Sequence, residues 1–173
     1  MNGYDLENTL KTMQIIVDTR EHPTEQAKKR WDSFGCPTVR AKLNVGDYSA
    51  TFTLPNGEEW SMADKVVFER KMSIDELAMC FGTDRKRFTA EFERAKTAGT
   101  RMYLLVEGAT WERILGHKYK SQLNPAALIG SIVAFTARYD CNIVFCEGLT
   151  TARIITEFLR KEAKEKLKEI EEK

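Results

Sequence analysis

The chain has 173 residues, of which 42% are hydrophobic and 31% are charged, an ordinary composition for one globular domain with its own core. Its 27 basic and 26 acidic residues nearly cancel to a formal charge of +1, which excludes attraction of a partner by the overall field. Any binding to nucleic acid must therefore come from local patches. The sequence has no signal-peptide core and no apolar run of about eighteen residues, so we expect a soluble, intracellular protein without a membrane partner.

The N-terminal part of the chain predicts a strand, a loop and a helix. Residues 13–18 (MQIIVD) are apolar and β-branched and end in Asp18, which is typical of a short buried strand. Residues 24–34 show the polar periodicity of a helix and are followed by Gly35, a residue that favours a helix end.

Residues 37–70 predict a β-meander. Apolar and polar residues alternate along several short segments, and Asn56-Gly57 between two of them is a strong hairpin signal. In this interpretation Asp47 lies at one edge of the meander, and the triplet at residues 69–71 lies at its end.

The second half of the chain alternates helices with buried strands. These elements are predicted over residues 73–81, 84–98, 101–108 and 142–147. Asn124 and Pro125 open a further helix as its cap and first residue, and a Lys- and Glu-rich helix follows at about 150–173. We therefore predict a single α/β domain over residues 1–173, with a mixed central sheet flanked by helices and an inserted hairpin.

Cysteine and histidine are too scattered to predict a zinc site. None of the four cysteines has CxxC spacing, and the chain has two histidines. A core of this size does not need disulfides, so we expect free thiols at all four positions: Cys36, Cys80, Cys141 and Cys146.

Charged side chains are predicted to converge where the strands end. Side chains two apart on a strand share a face, so Glu69 and Lys71 point together while Arg70 points away. Asp18 ends one central strand, and pairing of the meander would bring Asp47 beside Glu69. Three carboxylates and one ammonium in a partly dry site favour a hard divalent cation with oxygen ligands, with magnesium as the expected ion.

Each piece of this pattern also has an ordinary structural explanation. A Glu-Arg-Lys triplet at a strand end is usually a solvated edge, and a single Asp after a strand is usually a turn residue. The combination of the pieces, rather than any one of them, favours a site.

The combined motifs resemble those of the XPF-type structure-specific endonucleases, which include archaeal Hef and share the restriction-endonuclease-like PD-(D/E)xK fold. The family pattern is VDxRE at a strand end, then GD, then a hydrophobic strand with ERKxxxD. These elements stand here at residues 17–21, 46–47 and 69–75. The resemblance continues through residues 84–88 to the helix NPAALIGSIVAF and covers nearly the whole chain.

The resemblance implies a metal-dependent catalytic site. Asp18, Asp47 and Glu69 would be the metal ligands, with the carbonyl of Arg70 as another oxygen donor. The ion would be Mg²⁺, with Mn²⁺ as a substitute. Lys71 would complete the catalytic set beside the attacking water and the scissile phosphate.

Supporting roles are implied for four neighbouring residues. Arg20 and Arg70 would contact a backbone phosphate or hold the carboxylates, and Glu21 would orient a water or a metal ligand. Asp75 would cap the following helix or anchor Arg70.

A basic track for DNA is predicted beside the motif. Arg85 and Arg87 match a basic position that the family uses near its active site. Lys118 and Lys120 would extend the track, with Tyr119 as a stacking surface. The alternative is a solvated helix face on which acidic neighbours form helical pairs.

For function, the resemblance implies a magnesium-dependent endonuclease that cuts branched DNA, such as a flap or fork, in repair, recombination or phage DNA processing. Many relatives continue into a helix-hairpin-helix domain, whereas this sequence ends in a charged helix, as expected of a stand-alone bacterial or phage form in the cytoplasm. The family dimerises through its last helices, so we expect a homodimer. Residues 126–135 and 153–159 are either its pairing surface or simply core.

Two other functions stay open on the sequence alone. One is a non-catalytic DNA-binding scaffold, although the intact set of acidic residues and Lys71 argues against it. The other is a nuclease that acts on RNA or on unspecific single strands, because a metal site attacks a phosphodiester whatever the sugar.

Overall fold

In the computed structural model, which describes residues 3–171, a mixed seven-stranded sheet lies between two layers of helices. The strand order is β2-β1-β3-β5-β6-β7, and β4 pairs with β3 outside this path. The strands are β1 (Gln14–Asp18), β2 (Thr38–Ala41), β3 (Tyr48–Thr53), β4 (Glu59–Ser61), β5 (Val66–Lys71), β6 (Arg101–Glu107) and β7 (Asn142–Cys146).

Helices cover both faces of the sheet. They are α1 (Gly3–Lys11), α2 (Glu25–Asp32), α3 (Ile74–Phe81), α4 (Arg85–Ala98), α5 (Trp111–Leu115), α6 (Pro125–Tyr139) and α7 (Thr151–Glu171). One apolar core lies between the sheet and α1, α2 and α7, and a second lies between the sheet and α3 to α6. The predicted fold class, a mixed sheet flanked by helices, is confirmed, while α1 is a helix that the sequence pattern did not predict.

The segment before Asp47 differs from the predicted meander. Residues 38–41 form β2, which pairs in parallel with β1 at the edge of the sheet. The hairpin itself is present, since β3 and β4 pair in antiparallel fashion across a turn in which Gly57 has a φ of 85°. Alternating hydrophobicity indicates a half-buried strand, but it does not specify which strand is its partner or in which direction it runs.

Alternation along β5 decides which functional side chains share a face. Val66 and Phe68 belong to the core beneath α7, whereas Val67 belongs to the core beneath α3 and α4. Glu69 and Lys71 therefore follow Val67 toward α3 and α4, while the side chain between them points to the opposite face. This arrangement confirms the prediction made from the two-residue spacing.

The apolar sides of α6 and α7 that were expected to be either core or pairing surface are core where they face the sheet. Ile132 and Phe135 of α6 are buried, as are Ile155 and Leu159 of α7. The outer side of α6 leaves Val133 52% exposed. No helix within residues 3–171 is long and apolar enough to cross a membrane.

Candidate functional site

Pairing of β3 with β5 brings Asp47 next to Glu69. Tyr48 lies opposite Phe68 in the antiparallel register, and the Asp47 N–H donates a hydrogen bond to the Phe68 carbonyl at 2.7 Å. The Oδ2 atom of Asp47 accepts a hydrogen bond from the Arg70 N–H at 2.8 Å. The expected juxtaposition of the two carboxylates at the end of β5 is therefore present.

Gly46 permits this close approach of the loop to β5. Its φ is +76°, a backbone conformation that residues with a side chain rarely adopt. A Cβ atom here would lie 3.0 Å from both the Phe68 carbonyl oxygen and the Val67 Cβ atom. The Gly-Asp dipeptide is thus required by packing, because any larger residue would push Asp47 away from the strand.

Glu69 and Lys71 form a buried ion pair on the α4 side of β5. Lys71 Nζ donates a hydrogen bond to Glu69 Oε1, and the two residues are 9% and 5% exposed. The ammonium also lies 5.3 Å from the centroid of the Phe88 ring of α4. Lys71 is consequently held beside the acidic pair instead of extending into water.

The electrostatics show that this cluster lacks positive charge. Burial raises the pKa of both Asp47 and Glu69, and the charge of Asp47 raises that of Glu69 further. Glu91 on α4 adds to the effect on both groups, and the positive charge of Lys71 opposes it only in part. Burial alone would lower the pKa of Lys71, but Glu69 raises it, so the ammonium stays protonated.

Asp18 lies beside Asp47, since its N–H donates a hydrogen bond to the Asp47 carbonyl at 2.8 Å. Its Oδ1 atom accepts hydrogen bonds from the Arg20 Nε and N–H at 2.6 and 2.8 Å, and its Oδ2 atom accepts one from the Leu43 N–H at 2.6 Å. Burial alone would raise the pKa of Asp18, but these hydrogen bonds hold it below its ordinary value. The side chain does not line the cavity beside Glu69, whereas that of Arg20 does.

Arg20 was expected either to contact a backbone phosphate or to hold a carboxylate, and its side chain holds that of Asp18. Besides Asp18, its guanidinium donates to the carbonyls of Leu43 and Gly46, at 3.2 and 3.5 Å. It therefore ties the end of β1 to the loop that carries Asp47.

Glu21 lies in a network on the α2 side, and its charge contributes to the raised pKa of Asp47. Its Oε1 atom accepts hydrogen bonds from Arg30 at 2.6 Å and from the Tyr48 hydroxyl at 3.0 Å. Arg30 also donates to the Tyr48 hydroxyl at 3.0 Å. Glu21 thus joins α2 to β3.

Arg70 holds a carboxylate on the face opposite Glu69. Its Nε and NH2 atoms donate to the two oxygens of Glu107 at 2.7 and 2.8 Å, and Thr151 donates to the same carboxylate at 2.6 Å. Burial alone would raise the pKa of Glu107, but Arg70 and Thr151 lower it. The side chain is therefore not free to contact a phosphate, and its contribution to the site is its N–H to Asp47.

Asp75 neither caps α3 nor anchors Arg70. Ser73 is the cap of α3, since its side chain accepts a hydrogen bond from the Glu76 N–H. The Oδ1 atom of Asp75 instead accepts the N–H groups of Lys120 and Ser121, both at 2.7 Å. Asp75 therefore orders the loop that carries Lys118 and Lys120, while the side chain of Arg70 is bonded to Glu107 instead.

A cavity of about 410 Å³ opens at the acidic pair. It is lined by Arg20, Asp47, Glu69, Lys71, Cys80, Asp84, Arg87, Phe88, Glu91 and Arg94. Arg87 lies at its rim, 82% exposed, in a 3.0 Å pair with Asp84. Arg85 is directed elsewhere, toward the Phe81 carbonyl and Ser131, so only one of these two predicted DNA contacts faces the cavity.

Two further residues of α4 face the cavity. Glu91 and Arg94 follow Arg87 on α4 at spacings of four and three residues, which places all three on one side of the helix. Arg94 belongs to the basic stretch that the sequence places near the motif, whereas Glu91 was assigned to helical pairing on a solvated face. The periodicity, combined with the buried Phe88, is the signal that could have placed Glu91 at the cavity.

The donor set beside Glu69 fits a hard divalent cation. Asp47 and Glu69 offer carboxylate oxygens, and the cavity lining includes no histidine. Burial raises the pKa of the Cys80 thiol to about 11, so it remains a neutral, poor ligand. No three Asp, Glu, His or Cys side chains within residues 3–171 yet lie close enough to hold an ion, so the acidic groups must draw together when one binds.

Comparison with known families decides what kind of domain carries this site. Residues 17–158 match the ERCC4 domain. The chain belongs to the ERCC4 domain family. The match spans every acidic residue discussed above, and it confirms the resemblance to the XPF-type proteins. No curated protein gives a significant match to the chain.

Solved structures confirm the fold of this ERCC4 domain. XPF from Aeropyrum pernix aligns with a TM-score of 0.61 at 20% identity, covering 86% of this chain and 61% of that one. XPF from Aeropyrum pernix in complex with DNA aligns with a TM-score of 0.62 at 20% identity, covering 87% and 65%. The chain therefore spans less than two thirds of either relative, and the shared part has the restriction-endonuclease-like fold.

Proposed function

We propose that this protein is a divalent-metal-dependent endonuclease that hydrolyses phosphodiester bonds in DNA. The observation that carries the proposal is the position of Asp47, Glu69 and Lys71 together at one cavity of an ERCC4 domain. A solvated strand edge would leave these side chains exposed, whereas Glu69 and Lys71 are buried. Burying an excess of carboxylates is costly unless a cation or a substrate completes the set.

In this proposal the carboxylates and the lysine of the cavity have different roles in the reaction. Asp47 and Glu69 hold the cation, and the Arg70 N–H fixes the orientation of Asp47. A bound divalent cation supplies Lewis acidity toward a phosphoryl oxygen and toward a water molecule. Lys71 stays charged beside Glu69 and stabilises the negative charge that develops on the phosphoryl oxygens.

Magnesium is the proposed ion, with manganese as a substitute. Both prefer oxygen ligands, which is what the cavity offers. Asp18 stays the further ligand that the resemblance implies. Its N–H donates to the Asp47 carbonyl at 2.8 Å, and its Oδ2 atom accepts one hydrogen bond and keeps a lone pair.

A basic rim supports DNA as the substrate. Arg20, Arg87 and Arg94 line the same cavity as the acidic pair and provide charges for the flanking phosphates. The loop with Lys118 and Lys120, ordered by Asp75, extends the proposed contact surface along α3. The second Aeropyrum pernix structure is itself a complex with DNA.

The proposed form of the substrate is branched DNA, such as a flap or fork. This part of the proposal rests on the resemblance to structure-specific endonucleases.

The proposal includes a homodimer formed through the C-terminal helices. The inner side of α6 is core, so the outer side, with Val133 exposed, is the surface left for self-pairing. Sedimentation of the full chain should give a dimer, and Val133→Asp should give a monomer, because a charge replaces an apolar contact. A wild-type monomer at all concentrations would refute this part.

Cleavage of end-labelled flap, fork, duplex and single-stranded DNA tests the proposal. Wild type, Asp47→Asn and a matched control, Asp32→Asn, are compared with Mg²⁺, with Mn²⁺ and with chelator. Asp32 is exposed at the end of α2, away from the cavity. Cutting near the branch by wild type and Asp32→Asn, lost with chelator and in Asp47→Asn, is expected.

Other results would point to the rival functions. DNA binding without cleavage in any metal would favour a scaffold, and equal cutting of single strands or RNA would favour a less selective nuclease. Cleavage by Asp47→Asn at the wild-type rate would refute the assignment of the metal site.

A further inference from the structure

Glu91 of α4 reaches into the cavity from the side opposite β5. Its Oε1 atom accepts a hydrogen bond from the Gly46 N–H at 3.0 Å, so it touches the residue directly before Asp47. It lines the same cavity as Asp47 and Glu69 and is half-buried. Its position is fixed from behind, because Phe88 and Phe92 of the same helix are packed into the core.

The two oxygens of Glu91 differ in their contacts. While Oε1 is engaged by Gly46, Oε2 accepts no hydrogen bond from residues 3–171 and keeps its lone pairs. Asp18 is more fully engaged, being 1% exposed with two hydrogen bonds to its Oδ1 atom and one to its Oδ2 atom. A carboxylate has about four lone-pair sites, so Glu91 keeps more of them for a cation than Asp18 does.

The pairing of charges around the cavity points to the same residue. The lining holds four acids and four cations, of which Lys71 is paired with Glu69 and Arg87 with Asp84. Arg20 forms a 2.6 Å ion pair with Asp18. Asp47 and Glu91 are left without an ion pair among the described residues, and a divalent cation between them would supply the missing partner.

We propose that Glu91 supplies a carboxylate ligand of the divalent-cation site, beside those of Asp47 and Glu69. The inference rests on the function proposed above and adds a ligand from α4 to the two that the β3–β5 region provides. Because Oε1 is bonded to Gly46, the cation would link α4 to the loop that carries Asp47. Metal binding would then assemble the cavity from two separate parts of the fold.

A purely structural role for Glu91 makes a different prediction. If Glu91 only clamps the loop, its acceptor oxygen matters and its charge does not. Glu91→Gln separates the two roles, since the amide oxygen still accepts the Gly46 N–H while the negative charge is lost. Glu93→Gln is the matched control, because it removes the same charge from the same helix at an exposed position.

Titration of the full chain with Mn²⁺, following the free ion by electron paramagnetic resonance, gives a readout that does not depend on cleavage. Glu91→Gln is expected to bind Mn²⁺ about tenfold or more weakly than wild type, because the charge of the ligand set controls affinity. Glu93→Gln should bind like wild type, and Asp47→Asn should lose binding. The unfolding midpoint of each metal-free variant checks that it is folded, and Glu91→Asp, which keeps the charge, should give an intermediate affinity.

The outcomes separate this inference from the proposed function. Wild-type affinity in Glu91→Gln, with loss of binding in Asp47→Asn, would make Glu91 a loop clamp and leave the metal site intact. Loss of binding in Asp18→Asn with wild-type affinity in Glu91→Gln would leave Asp18, and not Glu91, as the further ligand. If wild type binds no Mn²⁺, or Asp47→Asn binds it normally, the metal site itself is refuted together with Glu91.

Discussion

The two faces of β5 carry the same kinds of charged side chains in opposite arrangements. On the face toward α7, Arg70 donates two hydrogen bonds to Glu107, and the neighbouring pair Arg30–Glu21 is joined at 2.6 Å. On the face toward α4, Lys71 is paired with Glu69, whereas Asp47 and Glu91 form no ion pair among the described residues. Both arrangements follow from one alternating strand.

The two faces differ in whether each charged side chain has an ion-pair partner. Where both partners of an ion pair are present and fully hydrogen-bonded, the pair stabilises the end of the strand. A buried carboxylate without an ion-pair partner destabilises the fold, and such groups are common at functional sites. The Arg70 backbone connects the two faces, since its side chain is fixed by Glu107 and its N–H orients Asp47.

Breaking the matched face should have the largest effect. Arg70→Ala leaves Glu107 without its cation at a position where both side chains are only 12–13% exposed. We expect a loss of about 3 kcal/mol in the free energy of unfolding, the lower end for a buried ion pair that loses one partner. Urea denaturation measures this value. Lys161→Ala, which breaks an exposed helical pair, is the control and should leave the midpoint unchanged.

Disturbing the junction between the two faces should have the next largest effect. Gly46→Ala forces a side chain into a φ of +76° and against the Phe68 carbonyl, which should cost about 2 kcal/mol. Gly57→Ala shares the positive φ but meets no atom within 4 Å, so it should cost less. Equal losses of unfolding free energy in the two variants would show that the close approach of Gly46 to β5 is unimportant.

Relieving the unmatched face should stabilise the metal-free protein. Asp47→Asn removes one negative charge and keeps an oxygen for the Arg70 N–H, so we expect a gain of about 1 kcal/mol near neutral pH. Because the pKa of Asp47 is raised in the folded protein, the folded state keeps its proton longer than the unfolded chain. Wild-type stability therefore falls as pH rises from the ordinary carboxyl pKa to the raised one, and the advantage of the variant grows over that window.

Asp18 is expected to give the opposite dependence of stability on pH. Its pKa is lowered in the folded protein, so its contribution is present above the ordinary carboxyl pKa and is lost on acidification. Asp18→Asn should therefore destabilise the protein at neutral pH and lose its effect as pH falls. Urea midpoints of both variants, measured between about pH 2 and pH 8, test the two signs together, because the Asp18 contribution is lost below about pH 4. A parallel pH response of the two variants would contradict the contrast between the faces.

The sequence predicted the positions that depend on local periodicity. The split of Glu69 and Lys71 from Arg70 follows from alternation along one strand. The approach of Asp47 to Glu69 was expected on the condition that the meander pairs in that way, and the pairing of β3 with β5 fulfils it. The parallel pairing of β2 was not predictable in the same way, because alternation does not identify a strand's partner.

The sequence does not predict the contacts of side chains that have more than one partner within reach. Asp75 was expected to cap α3 or to anchor Arg70, but it accepts hydrogen bonds from the N–H groups of Lys120 and Ser121. Glu91 was overlooked because its role depends on how α4 packs over the loop at Gly46, a contact across 45 residues of sequence. Motifs report which residue types are needed, whereas the choice among competing partners is made by the packed structure.

The central claim is that the face of β5 toward α4 holds a divalent cation while the opposite face does not. Crystals soaked in Mn²⁺ and measured at the manganese absorption edge test it most directly, because anomalous scattering locates the ion independently of activity. The account predicts one peak within about 2.2 Å of carboxylate oxygens of Asp47 and Glu69, and none beside Glu107. A peak outside this cavity, or the absence of any peak in protein that binds DNA, would contradict it.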